Sequence, residues 1–252
     1  MKKASLKPLW LILIILASIL LLTVVLGALN ATVGEGKWKI GWQSYLYSGA
    51  DYHVGGSTVY EDVITGIDLD WIDGNVRVVL TEDDSYVSVT EVYEGAIAES
   101  AKLHWRVNEE GTLIVKARRS GVYWAAGMAE KDLILRIPSR YADALDQMNV
   151  TVDRGTISLE RIQANAVTIE VEVADVLISN CDITDLNVQS KRGDLQVSLP
   201  ENASFRMNAQ LENGEVLSDF DLKRDGADYL FGDGKSRYSI SLRRGDLRIK
   251  KA

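Results

Sequence analysis

The sequence predicts an all-β protein: a single-stranded β-solenoid with rungs of about 19 residues, preceded by one N-terminal transmembrane helix. Three observations support this prediction. A pattern of alternating apolar residues around a central glycine recurs along the chain. The most regular copies begin at a nearly constant spacing, and a long uncharged apolar run precedes all of them. The repeats predict the architecture of the domain, and the apolar run predicts that a helix anchors the domain to a membrane.

The repeat is clearest in the middle of the chain. The segment Met148–Leu159 reads Met-Asn-Val-Thr-Val-Asp-Arg-Gly-Thr-Ile-Ser-Leu, so apolar and polar residues alternate on both sides of a glycine. Equivalent segments begin at Val167, Leu186 and Met207, and successive copies start 19, 19 and 21 residues apart. Alternation with a period of two is typical of a strand with one buried face, and the glycine indicates a turn. Each copy therefore predicts two short strands joined at a turn.

Three further segments follow the same pattern. Ile67–Val78 and Tyr238–Ile249 keep the glycine at the eighth position, whereas Leu103–Val115 has one additional residue before its glycine. A unit of this length cannot bury its apolar face alone, so the copies are expected to stack, each strand pairing with its equivalent in the next rung. A twisted antiparallel sandwich is the main alternative. The near-constant period favours the solenoid.

The apolar run extends without a charge from Leu9 to Leu29. At about 1.5 Å per residue, a helix of this length crosses a hydrocarbon core of roughly 30 Å. Lysines precede the run, so the positive-inside rule places residues 1–8 in the cytoplasm and the chain from residue 30 onward outside. A cleaved signal peptide is the alternative, but its apolar core is usually shorter. We therefore expect a single-pass cell-membrane protein whose β-domain is extracytoplasmic.

These features predict the domain boundaries. Residues 1–8 form the cytoplasmic N-terminus, 9–29 the transmembrane helix, 30–60 an aromatic and glycine-rich stalk or N-terminal cap, and 61–252 the β-solenoid. The aromatic residues of segment 30–60 either lie at the membrane surface or cap the edge of the first rung, and a platform for glycans is a third alternative. Residues 117–130 also interrupt the repeat. They predict either a lid over the solenoid or an exposed patch for a partner.

Composition narrows the classes of function. The formal net charge is −8, and it becomes −11 for the exported part once the three N-terminal lysines are left out, which disfavours binding to nucleic acid or anionic lipid headgroups. The only cysteine, Cys181, excludes an internal disulfide, and its position predicts a small half-buried side chain near a turn. Two histidines leave little material for a histidine metal site or a histidine-based triad.

Three acidic residues before a glycine suggest calcium chemistry. Asp68, Asp70 and Asp73 precede Gly74, but the third acid and the glycine each fall one position later than in an EF-hand loop. Asp68 and Asp70 occupy outward positions of an alternating strand, so we interpret them as part of a solvated strand face. A β-helix lyase or hydrolase requires paired carboxylates or a calcium–carboxylate cluster, and basic residues are scattered among the outward acids. We therefore expect a protein that is not an enzyme and that has no catalytic, cofactor-binding or metal-binding residues.

The turn motifs resemble those of a known bacterial family. The segments 71–76 (Trp-Ile-Asp-Gly-Asn-Val) and 229–234 (Tyr-Leu-Phe-Gly-Asp-Gly), the closing segment 239–249 and the repeated glycine–aspartate turns are similar to the DUF4097 family. This is the toastrack or "putative adhesin" β-solenoid family, related to LiaG-like envelope proteins. The resemblance spans about residues 50–251.

The resemblance implies a single-handed β-solenoid that is often tethered to the membrane and often linked to envelope-stress regulation. Its motifs are structural turns, so it implies no site residues. The sequence departs from the pattern at Ala174, which replaces a turn glycine, and in residues 117–130. We expect a non-enzymatic binding or scaffold protein whose partner is an envelope protein or the cell wall, and not nucleic acid. The alternative is a carbohydrate-active β-helix enzyme that acts on a surface polysaccharide.

Overall fold

The computed structural model describes residues 42–48, 51–60, 63–82, 84–124 and 130–252. The predicted transmembrane helix at 9–29 lies outside these residues. Within the described ranges, no helix is long and apolar enough to cross a bilayer. This part of the chain is all-β, as predicted, and its helical segments are two short 3-10 helices, Glu99–Ala101 and Ser139–Ala144.

Twenty strands lie in the described residues. Their bounds are β1 Trp42–Tyr45, β2 His53–Val54, β3 Ser57–Val59, β4 Gly66–Asp73, β5 Val76–Thr81, β6 Val87–Val92, β7 His104–Val107, β8 Thr112–Lys116, β9 Gly121–Trp124, β10 Asp132–Pro138, β11 Gln147–Glu160, β12 Gln163–Ser179, β13 Asp182–Ser190, β14 Leu195–Leu199, β15 Phe205–Leu211, β16 Val216–Ser218, β17 Lys223–Asp225, β18 Asp228–Phe231, β19 Ser236–Leu242 and β20 Leu247–Lys251. Strands β1 and β9 form a small unit of their own, and the other eighteen strands are connected to one another by strand pairing in a second compact unit.

The rungs of the larger unit stack in parallel. A first sheet contains β8, β4, β11, β12, β13, β19 and β15 in that order. A second sheet contains β10, β5, β11, β12, β14, β20 and β16. Strands β11 and β12 continue through the corner and belong to both sheets. Met148, Val167 and Leu186 are aligned side by side, so the rung length of 19 residues is confirmed.

The order of rungs in space differs from their order in the sequence. Tyr238 on β19 pairs with Leu186 on one side and with Met207 on the other, so the last repeat lies between the two repeats that precede it. The connection that returns the chain to this position is the antiparallel hairpin β17–β18, and β18 also covers the outer edge of β15. The repeat pattern predicts which segments are rungs, but not the order in which they stack.

One predicted repeat is not a rung. In the segment Leu103–Val115, strands β7 and β8 form an antiparallel hairpin in which Trp105 lies opposite Val115. Strand β8 then pairs in parallel with β4, which places Leu113 beside Ile67. The prediction is wrong because alternating apolar residues around a turn glycine also describe a hairpin. The strand that completes this outer rung in the second sheet is β10, which follows the interruption at 117–130.

The corner glycines form a column at the junction of the two sheets. Their φ angles lie between 112° and 157°, and a Cβ atom on any of them would lie 1.9–2.0 Å from a carbonyl oxygen of the adjacent rung. Both observations require glycine, because no other side chain tolerates this φ and this approach. Ala174 occupies the column in one rung without a positive φ. The five glycines are Gly74, Gly155, Gly193, Gly214 and Gly245.

The residue after the corner position is acidic in four rungs, and three of these carboxylates, those of Asp175, Asp194 and Asp246, accept a backbone hydrogen bond from the adjacent rung. The Asp194 backbone N–H donates to Asp175 Oδ1 at 2.8 Å, and the Asp246 N–H donates to Asp194 Oδ1 at 2.9 Å. The Glu215 N–H donates to Asp246 Oδ1 at 3.1 Å. Arg248 neutralises part of this acidic column, since it lies 2.6 Å from Asp194 and 3.1 Å from Asp246. The glycine–aspartate turns are therefore structural, as the family resemblance implies.

The two ends of the stack are closed by different means. At the C-terminal end, the three phenylalanines of the chain pack together, with ring centroids 4.7–5.9 Å apart. At the other end, antiparallel strands cover the outer rung: β6 pairs with β10, β3 with β6, and β2 with β7. Strands β2 and β3 come from the segment for which the sequence predicts a stalk or a cap, and they lie against the stack.

Candidate binding surface

The outer face of the first sheet carries two columns of polar side chains. Successive residues of a strand point to opposite faces, so residues between buried positions point outward, and the parallel register stacks them from rung to rung. We call the twelve residues of these columns the polar face. The first column contains Asp68, Asn149, Thr168, Asn187, Ser239 and Asn208, and the second contains Asp70, Thr151, Glu170, Gln189, Ser241 and Gln210.

The polar face is suited to hydrogen bonding. Nine of its twelve residues are amides or alcohols, three are carboxylates, and none is basic or aromatic. Neighbouring strands lie about 4.8 Å apart, so donors and acceptors recur at that interval along each column. The central strands are hydrogen-bonded on both sides, which holds their side chains in a regular array. Such an array presents repeated hydrogen-bonding groups on a rigid surface.

A groove of about 410 Å³ lies along the first column. Its floor includes Thr168, Asn187 and Ser239, and its charged side chains are already paired with one another. Arg237 Nε lies 3.2 Å from Asp185 Oδ1, and Arg206 lies 2.8 Å from Asp225 and 3.3 Å from Asp228. The groove therefore offers amide and hydroxyl groups between neutralised charges.

A second groove, of about 370 Å³, lies along the second column next to the corner. Thr151, Gln189 and Ser241 line it together with residues of both charge signs, among which Lys191 and Glu172 form an ion pair of 2.5 Å. Both grooves occupy the same face and several of the same rungs. The polar face is thus a shallow surface with two linear depressions.

The carboxyl groups with perturbed acidity are held in their ionised form. A hydrogen bond from Asn208 and then one from Arg206 lower the pKa of Asp228 below its ordinary value. A backbone N–H from Asp246 lowers the pKa of Asp194, and a hydrogen bond from Arg77 lowers the pKa of Glu160. A glycosidase general acid requires the opposite shift, so these carboxyl groups do not fit that role.

Asp68, Asp70 and Asp73, the acidic residues that suggested calcium chemistry, lie on the outer surface and contact basic side chains. Lys116 Nζ lies 3.3 Å from Asp68 and 3.7 Å from Asp70, and Arg154 lies 2.7 Å from Asp73. Their arrangement is that of a strand face, as predicted. In the part of the chain that the structure describes, no group of three or more histidine, cysteine or acidic residues is placed to hold a metal ion.

Cys181 is buried more deeply than predicted. The Ile162 N–H donates to its Sγ at 3.3 Å, and Sγ approaches the carbonyl oxygens of Leu159 and Ser179. Burial raises the pKa of the thiol to about 11. The thiolate is the reactive form, so this cysteine is a packing residue.

The repeats also identify the family of the chain. The family model Toastrack DUF4097 matches residues 64–198 and, in a second overlapping match, residues 144–250. The chain belongs to the DUF4097 (Toastrack) family. The resemblance inferred from the corner motifs is therefore confirmed, and the two overlapping matches agree with an internally repeated domain.

The fold of a solved structure is similar to that of this chain. A "putative cell adhesion protein" from Clostridium sporogenes has a TM-score of 0.61 and 13% identity, over 80% of this chain and 100% of that one. A "putative adhesin" from Bacteroides fragilis has a TM-score of 0.33 and 11% identity, over 79% of this chain and 97% of that one. The search of curated proteins found no match.

The N-terminal end of the Toastrack stack contains a buried polar cluster that the sequence does not predict. Lys131 Nζ donates to Glu91 Oε1, to the Ala101 carbonyl at 2.6 Å and to the Ala117 carbonyl at 2.5 Å. The ammonium group also lies 4.9 Å from the ring centroid of Trp71. Burial lowers the pKa of Lys131, while the hydrogen bond to Glu91 opposes that shift. All three ammonium protons have acceptors, so Lys131 joins segments of the cap.

The two interruptions of the Toastrack repeat meet each other. Strands β1 and β9 pair antiparallel, with Trp42 opposite Trp124 and Ser44 opposite Val122. The sequence marks both segments as unusual but does not predict their pairing, because they lie about 80 residues apart. The polar face, in contrast, can be recognised in the sequence, because its residues occupy the second and fourth positions of the six stacked copies.

Proposed function

We propose that this Toastrack domain is a non-enzymatic binding module of the cell envelope, held at the outer face of the membrane, and that its polar face binds a neutral cell-wall polysaccharide. The observation that carries the proposal is the two-column array of amides and alcohols on six stacked rungs. The description of the Clostridium sporogenes structure as a "putative cell adhesion protein" is in keeping with a binding role.

The chemistry of the array favours an extended, hydroxyl-rich partner. Amide groups both donate and accept hydrogen bonds, so they pair with sugar hydroxyls in either direction. The middle of the first column, Asn149, Thr168, Asn187 and Ser239, is uncharged, which gives a charged polymer no attraction at that point. A polymer whose groups repeat along its length would make many weak contacts along the stacked rungs, and these contacts act together.

The location is the part of the proposal that rests on sequence. The apolar run at 9–29 is expected to anchor the chain with the domain outside, and an envelope-stress role is implied by the family resemblance alone. Protease protection in right-side-out vesicles tests this part. We expect external protease to digest the domain and to leave the N-terminal residues protected. Full protection of the domain would contradict the orientation.

The binding proposal is tested with two matched lysine substitutions in one strand. Thr168 lies on the polar face, whereas Leu177 points outward from the second-sheet part of the same strand. Full-length protein in lipid nanodiscs is titrated against purified bacterial cell-wall polysaccharide and a panel of neutral and acidic polysaccharides. We expect Thr168→Lys to weaken binding roughly tenfold or more, because it places a long charged side chain in the groove, and Leu177→Lys to have little effect.

Two results would contradict this function. Equal binding by both variants would show that the polar face is not the site, provided that circular dichroism confirms that both are folded. New reducing ends in the same incubations would indicate turnover and would support the carbohydrate-active enzyme instead. If a protein from envelope extracts binds the wild type and the polysaccharides do not, the partner is a protein.

A further inference from the structure

The unit formed by β1 and β9 exposes an aromatic surface. Trp42, Val122 and Trp124 lie on one side of this two-stranded ribbon, and their exposed fractions are 71%, 58% and 48%. The two indole rings pack edge to face with centroids 5.6 Å apart. Large apolar side chains are normally scattered singly on a soluble surface, so three together on one small ribbon indicate a contact surface.

The ribbon is also free of charge. Its eight residues read Trp-Gln-Ser-Tyr and Gly-Val-Tyr-Trp, whereas charged residues are a quarter of the whole chain. Among the described residues, β1 and β9 form a sheet of two strands. In a sheet of this width, backbone groups that do not face the partner strand favour water or headgroups over acyl chains. Tryptophan favours the same interfacial zone. The ribbon therefore fits the boundary between headgroups and acyl chains, and not the hydrocarbon core.

Its place in the sequence indicates which surface it meets. The apolar run ends at Leu29, and Trp42 follows thirteen residues later. At roughly 3.5 Å per residue, even a fully extended connection keeps the ribbon within about 45 Å of the end of that run. A strongly acidic domain is repelled by anionic headgroups, so an uncharged ribbon that follows the expected anchor closely in the sequence is the part suited to contact the bilayer.

We propose that the β1–β9 ribbon docks on the outer leaflet of the membrane through Trp42, Val122 and Trp124, as a second membrane contact beside the N-terminal anchor. This inference rests on the anchoring proposed above, but it does not depend on the polar face. The lipid contact is interfacial and does not require an anionic lipid.

The test places a fluorescent label on the ribbon. Val122→Cys is labelled with an environment-sensitive thiol fluorophore in the full-length chain, and Leu177→Cys, at an outward position with an exposed fraction of 40%, serves as the matched control. Cys181 is buried and its thiol pKa is raised, so the parent protein should take up little label. Both proteins are placed in phosphatidylcholine nanodiscs with a spin-labelled lipid whose quencher lies near the headgroup.

We expect the label at position 122 to be quenched roughly threefold more than the label at position 177. Replacing Trp42 and Trp124 with serine in the Val122→Cys protein should reduce the quenching to the control level, and replacing both with tyrosine should keep most of it. Equal quenching at positions 122 and 177, or quenching that survives the serine substitutions, would overturn the proposal.

Size-exclusion chromatography separates this inference from the anchoring on which it rests. A chain that does not co-elute with nanodiscs is not anchored, and the proposed anchoring and the proposed ribbon contact then both fail. A chain that co-elutes but shows no ribbon-specific quenching is anchored without the second contact, and only the present inference fails.

Discussion

The two ends of the stack are closed by different interactions. A terminal rung exposes an unpaired strand edge and the apolar interior of the stack. At the C-terminal end, Phe205, Phe220 and Phe231 fill the opening with aromatic rings. At the N-terminal end, antiparallel strands cover the edge, and the buried pair of Lys131 and Glu91 holds their connecting segments.

The difference predicts how each end fails. An aromatic cluster loses stability in proportion to the volume that is removed, and its neighbours can move into the gap. A buried ion pair fails abruptly when one partner is lost, because the other charge stays buried without compensation. Hydrogen exchange is suited to this comparison, because it reports the opening of each end separately.

The largest effect is expected at the N-terminal end. Lys131→Met leaves the Glu91 carboxylate buried and removes a donor from the carbonyl groups of Ala101 and Ala117. We expect the free energy of unfolding to fall by about 3–5 kcal/mol. Urea unfolding followed by circular dichroism measures this change, and hydrogen exchange should increase first in β6 and β10.

The control for this prediction is the double variant Lys131→Met/Glu91→Gln. The amide of glutamine still accepts the Leu103 N–H, which donates to Glu91 Oε1 at 2.9 Å in the native protein. We expect the double variant to recover about half of the loss, because no unpaired charge stays buried. A double variant that is less stable than Lys131→Met would contradict a role for the charge pair.

A somewhat smaller effect is expected at the C-terminal end. Phe205 is fully buried and packs against Phe220, Phe231 and Tyr238. We expect Phe205→Ala to cost about 3 kcal/mol, the lower end of the range for such truncations, because rings at the end of a stack can shift into the space. Exchange should rise in β15 and β18 while β6 is unchanged. A rise at both ends would mean that the stack opens as one unit.

The smallest expected difference between the ends is their response to pH. Burial, followed by the charge of Lys131, lowers the pKa of His104 below its ordinary 6.5, so the unfolded chain binds a proton more readily than the folded one. The N-terminal end should therefore lose stability as the pH falls below about 6.5. The pKa of Asp228 is lowered in the folded protein, so its contribution to stability at the C-terminal end is retained until the pH falls below about 4.

Hydrogen exchange at pH 7 and pH 5, corrected for the intrinsic exchange rate, tests this contrast. We expect faster exchange at pH 5 in β7, the strand of His104, and no change in β15 or β18. His104→Gln should remove the pH response of β7. If β7 and β15 respond over the same pH interval, the histidine does not control the difference.

Much of the stack is readable in the sequence. The positions of Met148, Val167 and Leu186 predict the rung length, and the glycines predict the corners, because each rung is built from local alternation and a local turn. The same logic fails at Leu103, where a hairpin produces the same alternation. A pattern of apolar residues predicts that a segment has two strands, but it does not specify whether they pair with each other or with neighbouring rungs.

The residues of the polar face can be predicted from the sequence about as well as the rungs themselves. Outward positions such as Thr168 and Asn187 follow from the repeat register, so the polar columns can be predicted before the structure is seen. The buried cluster of Glu91 and Lys131 cannot, because its members come from distant segments and a charged residue in a sequence is normally expected on the surface. The pairing of Trp42 with Trp124 is non-local for the same reason.

The sequence by itself determined the all-β class, the rung length and the positions of the corner glycines, since all three can be read from local alternation and from turn residues along the chain. Only the tertiary structure decided the order of the rungs and the manner in which each end is closed. Every rung offers similar backbone edges to its neighbours, so local pattern does not distinguish one stacking order from another. The last repeat lies between its two predecessors, β18 covers β15, and the phenylalanines close that end. The local pattern of apolar residues specifies none of these contacts.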